Sequence, residues 1–398
     1  MSLYKAKVIL KPYPKGQMRF DHPWIYRSQI KETENSPKPG DIVEVWTKSR
    51  RFVGIGYFNP HSEIIVRILT TKSAEPVDKA FMKSKISQAL NFRKSFVKST
   101  NAFRVVSSEA DELPGLIVDK YDDVAVVQFL TLGMENLRPF VLEALEEIGI
   151  APSGIYEKSD SGSRRIEGLQ EKIGWLRKDC GDEIIIFEKN VQVRIRFESG
   201  QKTGFYLDQR ENRLLFPEMG IKGKILDAFC YSGGFGLHLA LSGSSVLGID
   251  SQKEALEEAE ANRSLNGIGA ETLRFKLANV FDELKILEKE KEKFDFVILD
   301  PPSFVKKREA LEGALSGYKE ILLRAMRLLN EGGLLAVFSC SYHVGDALLM
   351  ETALSAAIDV KKKLRVLKFL KQSADHPINP FIPETYYLKG FLFSVSSL

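Results

Sequence analysis

Two short stretches bring reactive side chains to the end of an apolar run. Asp300-Pro301-Pro302-Ser303-Phe304 follows Phe294-Asp295-Phe296-Val297-Ile298-Leu299, and Ser339-Cys340-Ser341 follows Leu334-Leu335-Ala336-Val337-Phe338. Both runs have the length and apolarity of strands buried in a sheet. Asn330-Glu331-Gly332-Gly333, ahead of the second, reads as a helix stop. A carboxylate at a strand tip can hold or deliver a proton. A thiol there is either a small buried hydrophobe or a nucleophile. The serines around Cys340 and its place opposite Asp300 favour the nucleophile. His343, three residues on, is a candidate for lowering the thiol pKa.

A third stretch supplies a ligand site. Lys224 to Asp227 reads as a strand, Ala228 to Gly236 as a glycine-rich turn, and a short helix ends near Gly243; a second strand, Val246 to Ile249, is closed by Asp250. Such a loop lets backbone approach a ligand at a helix N-terminus, and an acid after the second strand can accept ribose hydroxyls. Ser232-Gly233-Gly234-Phe235-Gly236 lacks the glycine spacing of a pyrophosphate loop, which weakens a dinucleotide reading. Ser251-Gln252-Lys253-Glu254 predicts a capping box for a helix to about Leu265, with Asn266-Gly267 as its stop. A strand near Thr272 to Lys276 then leads to Asn279-Val280. The expected fold is α/β, a doubly wound sheet that binds ligands along the carboxyl edge of its strands. The strands ending on Asp300 and Cys340 are expected to be neighbours, about 5 Å apart.

The order of glycine loop, Asp250 and Asp300-Pro301-Pro302 resembles that of the class I S-adenosylmethionine-dependent methyltransferases. The resemblance implies S-adenosyl-L-methionine as cofactor, held by Asp227, Phe229, Ser232, Gly233 and Gly234 in the loop, by Asp250 and Ser251, and by Asn279, Val280, Asp300 and Pro301. That family commonly has Asp where Asn279 stands, accepting from the adenine amino group. The amide oxygen of Asn279 is expected to take over that role.

A thiol and a carboxylate across a methyl donor suit one reaction. Carbon 5 of a pyrimidine is a poor nucleophile until a thiolate adds to carbon 6. Cys340 is the expected nucleophile, and Asp300 the group that hydrogen-bonds or protonates ring nitrogen 3. Cys230, in the loop, is read as a packing residue, and His238, on the helix after it, as a core or capping histidine.

Length and charge set bounds. At 398 residues the chain holds about two to three domains. Its net charge of +4 does not by itself call for nucleic acid. The clusters Lys48-Ser49-Arg50-Arg51, Lys306-Lys307-Arg308 and Lys361-Lys362-Lys363 are phosphate contacts or solvated faces. Three separated cysteines argue against a disulfide framework or a zinc site and suit a reducing, cytoplasmic setting. No signal-peptide pattern or membrane-length apolar run is expected.

The first 70 or so residues are short strand-like runs at 8–10, 41–46, 52–58 and 64–69, which suggests a small barrel. His22-Pro23-Trp24, Gly40-Asp41 and Gly54-Ile55-Gly56-Tyr57-Phe58-Asn59-Pro60 resemble the PUA domain, an RNA-binding β-barrel. That resemblance makes Arg19, His22, Trp24 and Tyr26 candidates for RNA contact. Trp24, Tyr26 and Trp46 are alternatively core, and His22 a turn hydrogen-bonder. Val77 to Lys98 reads as a helix with an apolar stripe at Phe81, Ile86, Ala89, Leu90 and Phe96, and a second helix is expected from Met134 to Ile148. Glu109-Ala110-Asp111 with Leu113-Pro114-Gly115-Leu116 resembles the connecting domain of PUA-containing ribosomal RNA methyltransferases. The acids there are read as a turn rather than a metal site.

Ser161-Gly162-Ser163-Arg164-Arg165 is expected to be a mobile basic loop, with Arg164 and Arg165 touching RNA together with Lys306 and Lys307. The dense run Gln201 to Arg213 precedes the catalytic sheet. In the family it resembles, this run lies beside cofactor and target base. Phe205 and Tyr206 are candidates to stack, Tyr206 also to touch the cofactor, while Asp208, Gln209 and Arg210 are candidates to fix the methionine end of the cofactor or a phosphate.

The whole chain resembles the 23S ribosomal RNA cytosine-C5 methyltransferases with an N-terminal PUA domain. That implies a barrel at 1–72, a connecting α/β domain at 73–185 and the methyltransferase domain at 186–398. It also implies 23S ribosomal RNA or a large-subunit precursor as partner, with a homodimer as one possible assembly and no membrane. Two other readings stay open: a base N-methyltransferase without a covalent intermediate, and a non-catalytic RNA-binding assembly factor.

Overall fold

The computed structural model describes residues 3–12, 22–198, 202–304 and 310–398. The chain forms two compact units. The first comprises Met1–Ile186, Ile195–Leu207 and Ala374–Thr385; the second comprises Phe187–Arg194, Asp208–Ser373 and Tyr386–Leu398. Among the described residues no helix is long and apolar enough to cross a membrane.

The first unit opens with strands β1 (Lys7–Leu10), β2 (Trp24–Tyr26), β3 (Ile30–Glu34), β4 (Ile42–Thr47), β5 (Phe52–Phe58) and β6 (Ile64–Thr70). They form one sheet in the order β2-β6-β5-β4-β1-β3, and a 3-10 turn at Arg27–Gln29 joins its two outer strands in sequence. Alternation turns Val8, Leu10, Val43, Val45 and Val66 into a shared core. The polar β3 has no apolar pattern to announce it.

Helix α1 (Lys79–Phe96) starts where Asp78 accepts the Phe81 N–H, and buries Phe81, Met82, Ile86, Ala89 and Leu90 as its stripe requires. A second sheet follows, built from β7 (Ala102–Ser107), β8 (Leu116–Tyr121), β9 (Val124–Phe129), β10 (Gly154–Ser159) and β11 (Lys172–Arg177), ordered β11-β10-β9-β8-β7. The helix expected over 134–148 is two helices, α2 (Leu132–Asn136) and α3 (Arg138–Ile148). Pro139, in the first turn of α3, has no N–H to continue the earlier ladder. Ser161 to Arg165 is not a free loop, because Ser163–Ile166 forms the short helix α4. The acids at 109–111 make a 3-10 turn; Asp111 pairs with the buried Arg93 guanidinium, and Glu109 accepts from Trp24 Nε1 at 2.9 Å. Strands β12 (Glu183–Glu188) and β13 (Val191–Arg196) make a two-stranded ladder.

The second unit alternates helix and strand: α5 (Arg210–Glu218), β14 (Lys224–Ala228), α6 (Gly234–Leu241), β15 (Ser245–Asp250), α7 (Lys253–Leu265), β16 (Leu273–Leu277), α8 (Val280–Lys289), β17 (Phe294–Leu299), α9 (Leu311–Leu328), β18 (Leu329–Ser339), α10 (Asp346–Asp359), β19 (Lys362–Lys371) and β20 (Lys389–Ser397). The sheet order is β16-β15-β14-β17-β18-β20-β19. Its first five strands are mutually parallel, and β20 runs antiparallel to β18 and β19. This is the doubly wound sheet the alternation implied. Leu284, Tyr318, Ile321, Leu349 and Ala353 from α8, α9 and α10 join one core with the strands. Phe216 and Phe235 stack at 5.6 Å, and Phe235 meets Phe338 of β18 at 5.7 Å.

One local expectation fails for an identifiable reason. Helix α7 has Gln252 at its N-cap with no side-chain cap bond, so the capping box does not form. Instead Asp250 Oδ1 accepts the Gln252 N–H at 2.9 Å, a tight turn that leaves Ser251 exposed. The helix stop does hold: α9 ends at Leu328, just before Asn330 to Gly333. Those residues enter β18 as an irregularity, since Phe294 pairs with Leu329 but Phe296 with Leu334.

Candidate active site

The strand order changes direction between β14 and β17, and ligands bind in the crevice at such a switch point. The loops after β14, β15, β16, β17 and β18 all leave from that carboxyl edge. The strand ends carry Asp227 and Asp250, and the loops carry Phe229 to Gly233, Asn279, Asp300 and Cys340.

In the first loop Gly233 has φ +81°, and a Cβ there would come within 2.8 Å of the Phe275 ring. Positive φ is not left to glycine alone, because Phe229 (+65°) and Tyr231 (+48°) adopt it too. Backbone held in this region by non-glycine residues clusters at ligand sites. Gly234 and Gly236 belong to α6. Asp250, buried at the tip of β15, takes the Tyr231 N–H on Oδ2 at 2.9 Å and so ties the two loops together.

Asp227 is buried and accepts the Gly236 N–H on Oδ2 at 3.1 Å, while its Oδ1 has no hydrogen-bond partner among the described residues. Burial pushes its carboxyl up to about 7, opposed by the Gly236 N–H and reinforced by the charges of Asp300 and Asp250. Ser232 Oγ is likewise buried without a partner. Two orphaned polar atoms, one at the end of β14 and one in the glycine loop after it, are unusual, since the great majority of buried polar groups are paired. They fit a ligand that brings its own donors and acceptors. Cys230 packs against Leu256, Ala259 and Phe275, and burial raises its thiol well above the usual range. It is a core residue, as read from sequence.

Asn279 caps α8. Its Oδ1 accepts from Phe281 N at 3.0 Å and Asp282 N at 3.4 Å. The oxygen expected to meet an adenine amino group is therefore occupied, and the amide nitrogen is what Asn279 can offer a ligand. Val280 and Pro301 are buried beneath the edge. Beside them Phe229, Phe281, Phe304 and Tyr318 form an aromatic wall. Phe281 and Phe304 lie 5.8 Å apart, and Phe304 and Tyr318 4.9 Å. The sequence reading missed Phe281 and Tyr318, which look like ordinary helix residues until α8 and α9 fold against the strand tips.

Asp300 accepts from Gln209 Nε2 at 3.0 Å, and Gln209 Oε1 in turn accepts from Asn212 Nδ2 at 2.6 Å. Gln209 thus orients the carboxylate. Arg210 is buried beside it at the start of α5. Cys340 is exposed at the tip of β18, one strand from Asp300. Ser303 and Ser341 meet at 3.0 Å between the two loops. Tyr318 of α9 senses the charges of both Cys340 and Asp300, and burial raises its hydroxyl to about 12. His343 stands T-shaped to Tyr342 at 5.5 Å.

A model of the S-adenosylmethionine-dependent methyltransferases matches residues 144–393, and one of the PUA-like domain matches residues 8–71. The chain belongs to the S-adenosylmethionine-dependent methyltransferase family. Relatives similar over nearly the full length carry the name ribosomal RNA large subunit methyltransferase I. One, from Pseudoalteromonas atlantica, is 36% identical and covers 98% of this chain and 99% of its own; one from Shewanella denitrificans is 37% identical with the same coverage. A solved structure described as a methyltransferase complexed with SAH shares the fold, with TM-score 0.84 at 19% identity over 98% of this chain and 99% of that one. The methyltransferase uses S-adenosylmethionine.

Most of the remaining expectations fall in the first unit. His22 Nδ1 accepts the Trp24 N–H at 3.2 Å, so its Nε2 carries the hydrogen toward Glu384 at 3.1 Å; it is the turn residue the alternative reading described. Trp24 and Tyr26 stand on the face of β2 opposite the buried Ile25, with Tyr26 40% exposed. Arg164 is fully buried, with its guanidinium on Phe129 O, Gln170 O and Glu135, and cannot serve as a loop contact. Arg165 is exposed and pairs with Glu171. Phe205 is buried and offers no face for stacking, whereas Tyr206 is half-buried with Lys202 Nζ 4.3 Å from its ring centre. Arg19, Lys306 and Lys307 lie outside the described residues.

Proposed function

We propose that this methyltransferase modifies carbon 5 of a cytosine in 23S ribosomal RNA, with Cys340 as covalent nucleophile and Asp300 as the group on the base edge. The observation that carries the reading is the exposed thiol at the tip of β18, beside the Gln209-held carboxylate at the tip of β17. The relatives named for the large-subunit RNA support the substrate class. The half-exposed Trp24 and Tyr26 on a PUA-like sheet support RNA contact through residues 1–72. Residues 73–185 then act as connector and 186–398 as the catalytic part.

When bound, the cofactor supplies an electrophilic methyl group on a sulfonium. Asp227, Ser232 and Gly233 are the proposed partners of its methionine end, Asp250 of its ribose, and Asn279, Val280 and Pro301 of its base. On the substrate, Cys340 Sγ adds to carbon 6 and makes carbon 5 electron-rich. Asp300, in its acid form, gives a proton to nitrogen 3 as negative charge develops there and takes it back when the ring is restored. Once carbon 5 carries the methyl group, loss of its proton expels the thiolate and restores the ring. The cytosine must first leave its stack, which costs a few kcal/mol.

Nucleoside mass spectrometry of large-subunit ribosomal RNA treated with the protein and labelled cofactor tests this. The expected product is 5-methylcytosine, lost with Cys340→Ala while cofactor binding is kept. An N-methylated base, or turnover retained in Cys340→Ala, would point to the non-covalent alternative.

A further inference from the structure

We propose that Lys389 is the positioning residue that takes and holds the proton of the Cys340 thiol, a role that rests on Cys340 being the nucleophile. Lys389 opens β20, and the antiparallel register sets it opposite Ser339, the residue before Cys340. The residue is buried, only 4% exposed, yet among the described residues its contacts include no ion pair with a carboxylate. Its Nζ donates to Tyr387 O at 3.3 Å and sits 5.3 Å from the Tyr386 ring centre. The nearest acid by charge, Asp346 at the start of α10, accepts from the Tyr386 hydroxyl at 3.0 Å instead. A buried lysine in such surroundings is held less firmly as an ammonium.

The groups around the thiol sort themselves by chemistry. Tyr318, on α9, is raised to about 12 by burial and stays a phenol. Asp300, after β17, is already engaged by Gln209. His343, on the loop after β18, faces Tyr342. Lys389 is the group that burial shifts downward, while the charges of Asp346 and of Cys340 favour its protonated form. A thiolate and an ammonium therefore stabilise each other here. In the step itself the S–H bond of Cys340 breaks, an N–H bond forms at Lys389 Nζ, and the electron pair left on sulfur attacks carbon 6. When the thiolate is expelled at the end, the ammonium returns its proton to sulfur and the pair is reset.

The test is the pH profile of Cys340 alkylation by iodoacetamide, read on the Cys340 peptide by mass spectrometry, in wild type, Lys389→Met and Lys389→Arg. The wild-type midpoint is expected below about 8.5, the ordinary thiol value. Lys389→Met is expected to raise it and slow alkylation at pH 7 by about tenfold, one unit of thiol pKa. Lys389→Arg, which keeps a cation, is expected to restore the lower midpoint. A midpoint unchanged in Lys389→Met would overturn the proposal. Should that variant fail to fold, a wild-type midpoint at or above about 8.5 overturns it and a lower one supports it. Alkylation reads the thiol alone, so a low midpoint alongside a product other than 5-methylcytosine would sink the cytosine reading and leave the Lys389 pair standing.

Discussion

Two carboxylates in the catalytic unit are equally buried and oppositely treated. Glu188, on β12, receives Arg213 at 2.6 and 2.9 Å and His238 at 3.1 Å. Burial raises its pKa, but the Arg213 guanidinium and His238 overcome it and hold the group at about 2. Asp227 receives one backbone N–H, keeps one oxygen unpaired, and sits at about 7. The first is a closed cluster beneath α5 and α6 that holds the fold. The second is left open on the side where the glycine loop presents its backbone. A buried charge fully met by protein groups marks structure, and one met halfway marks the place where a ligand completes the set.

The comparison breaks most visibly at Glu188. Glu188→Gln takes away the charge that the buried Arg213 guanidinium and His238 meet, and denaturant unfolding is expected to show a loss of about 3–5 kcal/mol. A loss below about 1 kcal/mol would mean that the cluster is no more structural than a surface pair. Asp227→Asn is expected to do the reverse: cofactor affinity by calorimetry falls about 10- to 100-fold, in line with a lost charge-assisted bond, while stability without cofactor at pH 8 does not fall.

The same pair differs with pH. The folded pKa of Asp227 lies above its unfolded value, so the stability it contributes is present below about pH 4 and is lost as pH rises through about 7. The wild-type minus Asp227→Asn stability difference should therefore decline across that window and level off above it. A flat difference would contradict the half-met carboxylate. Gln209→Ala sharpens the comparison at Asp300 with the smallest effect, about tenfold in kcat for one lost hydrogen bond, with cofactor affinity little changed. A change in affinity alone would instead place Gln209 on the cofactor.

Much of the fold was legible because the strands of the catalytic sheet are apolar runs bounded by turn residues, as at β14, β15 and β17. Strand β19 was not, since Lys362 to Lys371 alternates lysines with an exposed edge and reads as a basic cluster. The loop residues from Asp227 to Gly234, with Asp250 and Asp300, were legible as types at a spacing. What their atoms accept was not, and Asn279 is the example: only the start of α8 reveals that its oxygen caps a helix. Arg164, Lys389 and Phe205 were misread or overlooked for a common reason. A sequence displays the charge or ring, whereas burial depends on the packing around it, as where β9 brings Phe129 O to the Arg164 guanidinium from 35 residues away.

The most direct measurement is a trapping experiment with RNA carrying 5-fluorocytosine. Fluorine in place of the carbon 5 hydrogen leaves no proton to remove, so an adduct formed through carbon 6 cannot be released. A denaturation-resistant protein–RNA complex, formed only with S-adenosylmethionine present and mapped to the peptide bearing Cys340, is the result expected. Absence of any such complex under conditions where unmodified RNA is methylated at full rate, or a complex that persists in Cys340→Ala, would contradict the account.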